Sequence, residues 1–221
     1  MAATGSRPVL TRNIMDNENR SLRVIVYTDY KSPYAYVAKN PTLALAVEYP
    51  IELVWLPYTL KIEGYLGAVD ERSAHNWRKV KYGYMDARRA ANRQGLILMG
   101  PQRIYNGSLA SIGMLFAQRH GFFDAYHEQT FSLFWKRELD IDSMDAMKEY
   151  IAKLGGNPHE FEVFASGEGE EEHRRIVEQA ETIGVFGVPT FVFDGELFWG
   201  GDRITLLRER IEQEIMRHRP R

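Results

Sequence analysis

The chain has 221 residues, 44% of them hydrophobic and 26% charged, with a formal net charge of −2. That length and apolar content suffice for a sizeable core, and the scattered charges of both signs exclude a nucleic-acid footprint and a polybasic membrane patch. There is no cysteine, which removes disulfides, thiolate nucleophiles and cysteine metal sites from the chemistry of the chain's own side chains.

Residues 1–20 are polar and irregular and lack the apolar segment of a secretory signal, so a flexible N-terminal tail is expected. No stretch approaches the roughly 20 apolar residues of a membrane span. A cytoplasmic protein without nucleic-acid or membrane partners is the expectation.

Leu22 to Tyr27 is short, β-branched and bounded by polar residues, which predicts a strand. Ser32-Pro33 follows, with Ser32 suited to cap a helix and Pro33 to its first position; the helix runs to about Glu48, and Pro50 ends it. Ile51 to Leu56 reads as a second strand, and strand–helix–strand suits a parallel βαβ unit.

From about residue 60 the periodicity becomes helical. Trp77, Val80, Tyr84, Ala87 and Ala91 recur at spacings of three and four, as do Leu109, Ile112, Leu115 and Phe116, and then Phe123, Tyr126, Thr130, Phe131 and Phe134. Met144, Met147, Ile151 and Leu154 make a narrower stripe closed by Gly155-Gly156. Asn157-Pro158 opens another helix, with Glu160 placed for a capping box, and a further helix behind the acidic turn Glu168 to Glu172 carries His173, Ile176, Ala180 and Ile183. Strand character returns at Pro189 to Phe193, turns at Asp194-Gly195, and continues through Glu196 to Trp199. Ile204, Leu207, Ile211 and Ile215 mark a last helix. The prediction is an α/β domain formed by residues 21–59 and 184–221, interrupted by a helical insertion over 60–183.

Each motif has a structural and a functional reading. Ser32 and Pro33 make an ordinary helix start, yet a hydroxyl at a helix N-terminus also stabilises an anion. The two coexist, since one hydroxyl accepts from a backbone N–H and donates its own proton. Val188-Pro189 is either a strand-edge marker or a special turn. Asp202, after Gly200-Gly201, is either the cap of the last helix or an acceptor for a ligand ammonium. Arg78 and Lys81, beside Trp77 and Tyr84, make a solvated face or a carboxylate clamp. The six histidines (His75, His120, His127, His159, His173, His218) show no metal spacing and read as surface or packing residues. There is no P-loop and no dinucleotide-binding glycine motif.

In this order, D-Y-K-S-P-Y-A-Y, a long helical stretch, V-F-G-V-P-T-F-V and F-W-G-G-D-R-I resemble the 2-hydroxychromene-2-carboxylate isomerases and are similar to the kappa-class glutathione transferases, both of the DsbA-like thioredoxin superfamily. The resemblance covers roughly residues 22–215. It implies a thioredoxin-like fold with a large all-helical insertion, a cis bond at Val188-Pro189, glutathione as cosubstrate and a homodimer. It places Ser32 at the glutathione sulfur as the catalytic residue. It sets Val188 and Pro189 beside the cysteinyl part, Gly201, Asp202 and Arg203 around the γ-glutamyl end, and Lys81 near the glycine carboxylate. The implied activity is cis–trans isomerisation of an unsaturated, aromatic carbonyl acid through a transient glutathione adduct. A kappa-like transferase and a non-catalytic thioredoxin-like binding protein stay open beside it.

Overall fold

A computed structural model describes residues 22–62, 64 and 71–217; the expected tail over 1–20 and His218 lie outside them. In chain order these residues form β1 (Leu22–Thr28), α1 (Pro33–Glu48), β2 (Ile51–Pro57), α2 (Ala74–Arg93), α3 (Ser108–Arg119), α4 (Phe123–Trp135), α5 (Met144–Lys153), α6 (Pro158–Ala165), α7 (Glu168–Thr182), β3 (Thr190–Phe193), β4 (Glu196–Trp199), a 3-10 turn (Gly201–Arg203) and α8 (Ile204–Arg217). No helix among the described residues is long and apolar enough to cross a membrane.

The four strands make one sheet in the order β2-β1-β3-β4. β1 and β2 are parallel, as the intervening helix requires, while β3 runs antiparallel to both β1 and β4. Tyr27 pairs with Thr190. The segment leaving β1 and the segment entering β3 therefore emerge at the same end of the sheet. The β3–β4 turn has positive φ at both Asp194 (51°) and Gly195 (79°), the conformation that an Asp-Gly hairpin favours.

Local chemistry explains the helix limits. Ser32 caps α1 by accepting from the Ala35 N–H at 3.2 Å, with Pro33 at the first position. Pro41 sits inside α1 and has no N–H for the Val37 carbonyl; the Gln94 side-chain amide supplies that hydrogen bond at 2.8 Å and ties the end of α2 to α1. Asn157 caps α6 through the His159 and Glu160 N–H groups, and Glu160 takes its bond from the Asn157 side-chain amide. α3 is the centre of the helical layer. Every residue from Ala110 to Ala117 is buried, as expected of a helix apolar on all sides.

α2 departs from its periodicity. Only Ala87 and Ala91 are buried, and Trp77 at the start of the stripe is 36% exposed. The helix packs on α1 along one side near its C-terminal half, so a stripe with the spacing of a core face is only half a core face. The histidines divide as predicted. His75, His120 and His159 are exposed, whereas His127 and His173 are buried.

His127 lies against the rings of Tyr30, Trp55, Phe123 and Phe131, with Nδ1 3.0 Å from the Tyr30 hydroxyl. Burial, with nearby Lys39 adding to it, pushes its pKa down to about 3. An unfolded histidine titrates near 6.5, so between that pH and about 3 the unfolded chain binds a proton that the folded chain does not. Stability is complete above about pH 6.5 and falls on acidification, by about 1.4 kcal/mol per pH unit from this one group. Urea unfolding at pH 7 and pH 5 should therefore show a loss of about 2 kcal/mol in the native chain that is missing in His127→Leu. The same loss in both proteins would remove His127 as its cause.

Candidate functional site

Strand register and helix capping converge at the carboxyl end of β1. The Ser32 N–H donates to the Asp29 carbonyl at 3.0 Å, closing the turn that starts α1. The Ser32 hydroxyl accepts from Ala35 and is 3.5 Å from the Val188 carbonyl, across 156 residues of sequence. The Val188-Pro189 bond is cis. The Pro189 carbonyl accepts from the Gly200 N–H at 2.9 Å, which fastens the 3-10 turn to the same loop. Gly201 lies against α1, where an added Cβ would sit 3.1 Å from that of Ala38. Ser32, Val188, Pro189, Gly201 and Asp202 are thus linked into one structure by contacts between three separated segments.

Its chemistry is that of an anion seat. Ser32 is 3% exposed, at the positive end of a 16-residue helix that carries no acid in its first turn. At 3.5 Å the bond to the Val188 carbonyl is long, so the hydroxyl proton has a weak partner to give up for a better acceptor. Asp202 does not cap the last helix. No side chain caps the 3-10 turn, and the Asp202 carboxylate is exposed and paired with Arg203 at 3.1 Å.

Lys81 is placed differently. It is exposed and lines a cleft of about 590 Å³ with Ala74, Trp77 and Arg78. Gly83 and Asp86 on the same helix face Tyr34 of α1. Lys81 and Asp86 are separated by about 140° of helix rotation at 3.6 residues per turn. Lys81 therefore projects from a side of α2 turned away from Tyr34.

Behind the serine lies a buried ion pair that sequence reasoning missed. Lys31 Nζ is 2.5 Å from Asp29 Oδ2, and both side chains are buried. Asp29 also accepts from the Lys31 N–H at 3.1 Å and the Leu60 N–H at 2.8 Å. Gly107 closes over the pair with φ 78°; a Cβ there would lie 3.3 Å from Lys31 Nζ. Gly107 is held in turn by Asp142, which accepts from the Asn106 and Gly107 N–H groups at 2.9 and 2.7 Å. Next to the pair, Thr59 bridges the Ser111 hydroxyl at 3.0 Å and His173 Nε2 at 2.9 Å. Burial lowers the His173 pKa; Asp29 opposes that shift and Lys31 adds to it.

Two exposed aromatics on the other flank were also missed. Trp199 lies over Gly187, where a Cβ would come within 2.7 Å of the indole nitrogen, and Phe186 packs on it at 4.6 Å between centroids. They are 50% and 66% exposed, beside the cis-proline loop. An exposed ring cannot be told from a packed one by spacing alone. Among the described residues no group of histidine, aspartate and glutamate side chains could hold a metal ion.

Residues 23–212 match the model of the DSBA-like thioredoxin domain. A 2-hydroxychromene-2-carboxylate isomerase of Pseudomonas putida is 29% identical over 187 residues, 82% of this chain and 90% of that protein. A solved 2-hydroxychromene-2-carboxylate isomerase superposes with a TM-score of 0.74 at 26% identity, covering 89% of this chain and 97% of the other. A probable DsbA oxidoreductase from Streptomyces coelicolor has the same fold, with a TM-score of 0.73 at 17% identity and 90% and 92% coverage. The chain belongs to the DsbA-like thioredoxin domain family.

Proposed function

We propose that this cysteine-free member of the DsbA-like family is a glutathione-dependent cis–trans isomerase of the 2-hydroxychromene-2-carboxylate isomerase type, acting on an unsaturated aromatic carbonyl acid. One observation supports this reading above the others. The place where the family's fold presents a helix N-terminus to the cis-proline loop carries a hydroxyl, Ser32, in a chain without a thiol. Disulfide exchange has no group to carry it, while binding another molecule's thiolate has both a donor and a helix dipole. The named isomerases at 26–29% identity supply the reaction class.

When bound, glutathione supplies a sulfur that adds reversibly to a conjugated double bond, allowing rotation before it leaves. The chain's part is to hold and charge-stabilise. Ser32 donates to the sulfur, and the α1 dipole favours its negative form. The Val188 backbone at the cis-proline turn sets the cysteinyl part, with Pro189 fixing the loop. Gly201 permits close approach, and Asp202 takes the α-ammonium once Arg203 turns to the neighbouring carboxylate. Lys81, on the outward side of α2, is assigned the glycine carboxylate by resemblance. The same resemblance assigns a homodimer in the cytoplasm.

The deciding experiment has two parts. Millimolar glutathione should raise the melting temperature, and isomerisation of an unsaturated aromatic keto acid should proceed over many turnovers with the glutathione concentration unchanged. Consumption of glutathione in step with product would make the protein a transferase. No thermal shift at millimolar glutathione would make it a binding module of another kind.

A further inference from the structure

α2 carries Arg78, Lys79, Lys81, Arg88, Arg89 and Arg93 against a single carboxylate, Asp86, in a chain whose formal net charge is −2. All six cations are exposed. None has a carboxylate partner among the described residues, whereas cations on other elements do: Arg23 pairs with Glu52, Arg119 with Glu168 and Glu172, Lys148 with Glu162, Arg208 with Glu48. On α7, Arg174 meets Glu171 and Glu178 at the three- and four-residue spacings by which a solvated helix balances its charges. α2 has no such pair, and Arg88 donates instead to the Leu98 carbonyl at 3.2 Å. The fold leaves one block of positive charge without compensation.

The position of that block is a second, independent observation. An added Cβ on Gly83 would be 3.7 Å from the Tyr34 hydroxyl, and the Gln94 amide donates to the Val37 carbonyl at 2.8 Å. The carboxyl half of α2 thus runs beside the first two turns of α1, the end that Ser32 caps. Asp86 Oδ2, 3.3 Å from the Tyr34 hydroxyl, marks the arc of α2 that faces α1. Lys79 and Arg93 are each seven residues from Asp86, within about 20° of the same arc and about 10 Å along the axis. These two cations border the approach to the opening of α1. A charge at such a distance is felt over about 8 Å in physiological salt and about 30 Å at 0.01 M.

We propose that the uncompensated cations of α2, Lys79 and Arg93 foremost, steer anionic molecules to the Ser32 seat, so that the protein captures its thiol by charge before it holds it by contact. This rests on the reading of that seat as a glutathione site. Glutathione carries two carboxylates against one ammonium, and an unsaturated keto acid carries a carboxylate, so both arrive as anions at a chain that is itself negative overall. A local field of opposite sign raises the rate of encounter. Charges at the rim of a site act on association and its salt dependence, and little on dissociation.

The test is stopped-flow association of glutathione, read by tryptophan fluorescence, at about 0.01 M and about 1 M salt. The native rate constant should fall by roughly tenfold between the two, the low end of the range for steered encounters. Lys79→Gln combined with Arg93→Gln should lower the low-salt rate by about threefold, leave the high-salt rate and the dissociation rate unchanged, and flatten the salt dependence. Glutathione diethyl ester, whose carboxylates are masked, should associate with the native protein without a fall in rate as salt is added. Arg23→Gln removes a charge at the opposite end of β1 from Ser32 and should behave as native. A native rate indifferent to salt, a double variant indistinguishable from native, or an equal loss in Arg23→Gln would overturn the steering and leave the glutathione seat standing. Absence of glutathione binding at millimolar concentration and at either salt would overturn the seat, and the steering with it.

Discussion

Ser32→Ala is expected to lower glutathione-dependent turnover by roughly 10–100-fold while changing glutathione affinity much less. A free thiol titrates near 8.5 and is only a few per cent thiolate at pH 7; lowering it by about two units requires about 2.7 kcal/mol. A hydrogen bond to a charged acceptor contributes about 1.5–3 kcal/mol, and a helix N-terminus about 0.3–1, up to roughly 2 when partly buried. Removing the hydroxyl leaves the helix term alone, and about 1.4 kcal/mol is tenfold. The apparent pKa of bound glutathione, followed by thiolate absorbance, should move up toward 8.5 in the variant. The same change removes a helix cap and should cost about 1 kcal/mol of stability. Ser32→Thr keeps both cap and donor and is the control that separates the two effects. Turnover unchanged in Ser32→Ala would take residue 32 out of the chemistry.

Asp29→Ala should be the most destabilising single change near the site, by about 3–5 kcal/mol, because it leaves the Lys31 ammonium buried without a partner. The effect reaches function through the turn that Asp29 anchors, since the Ser32 N–H bonds to the Asp29 carbonyl and the Leu60 N–H to its carboxylate. Buried pairs stabilise less than their rupture suggests, as desolvation of both ions offsets most of their attraction. Combining Asp29→Ala with Lys31→Met should therefore recover much of the loss. Urea midpoints of the two single variants and the double variant measure the coupling. A double variant no more stable than Asp29→Ala would show that the ammonium is not left stranded, contrary to the packing under Gly107.

The strands, the capped first helix and the Asp-Gly hairpin were legible in the sequence because each is set by local chemistry: β-branched runs, a Ser-Pro start, a turn that needs two positive φ values. The meeting of Ser32 with Val188 was legible only through resemblance, for no local rule joins positions 156 residues apart; strand register does. The sides of α2 were not legible. Trp77, Val80, Tyr84, Ala87 and Ala91 have the spacing of a core stripe, but which arc of a helix is covered depends on its docking partner. Here only Ala87 and Ala91 of α2 are buried, and Lys81 is exposed. The Asp29–Lys31 pair escaped for a related reason. Two charges flanking a tyrosine look solvated until a distant glycine, Gly107, is found lying over them.

The pairing of Tyr27 with Thr190 has an evolutionary consequence. Because strand alignment and the contacts of Ser32 with Val188, Gly200 with Pro189 and Gly201 with Ala38 join the halves of the seat, the helical stretch between β2 and the cis-proline loop is open to remodelling by substitution, lengthening or exchange with a cousin's, provided that Leu60 and Gly107 still meet the aspartate and lysine. Lineages built on this plan would then diverge in what they process while keeping a common way of gripping the anion.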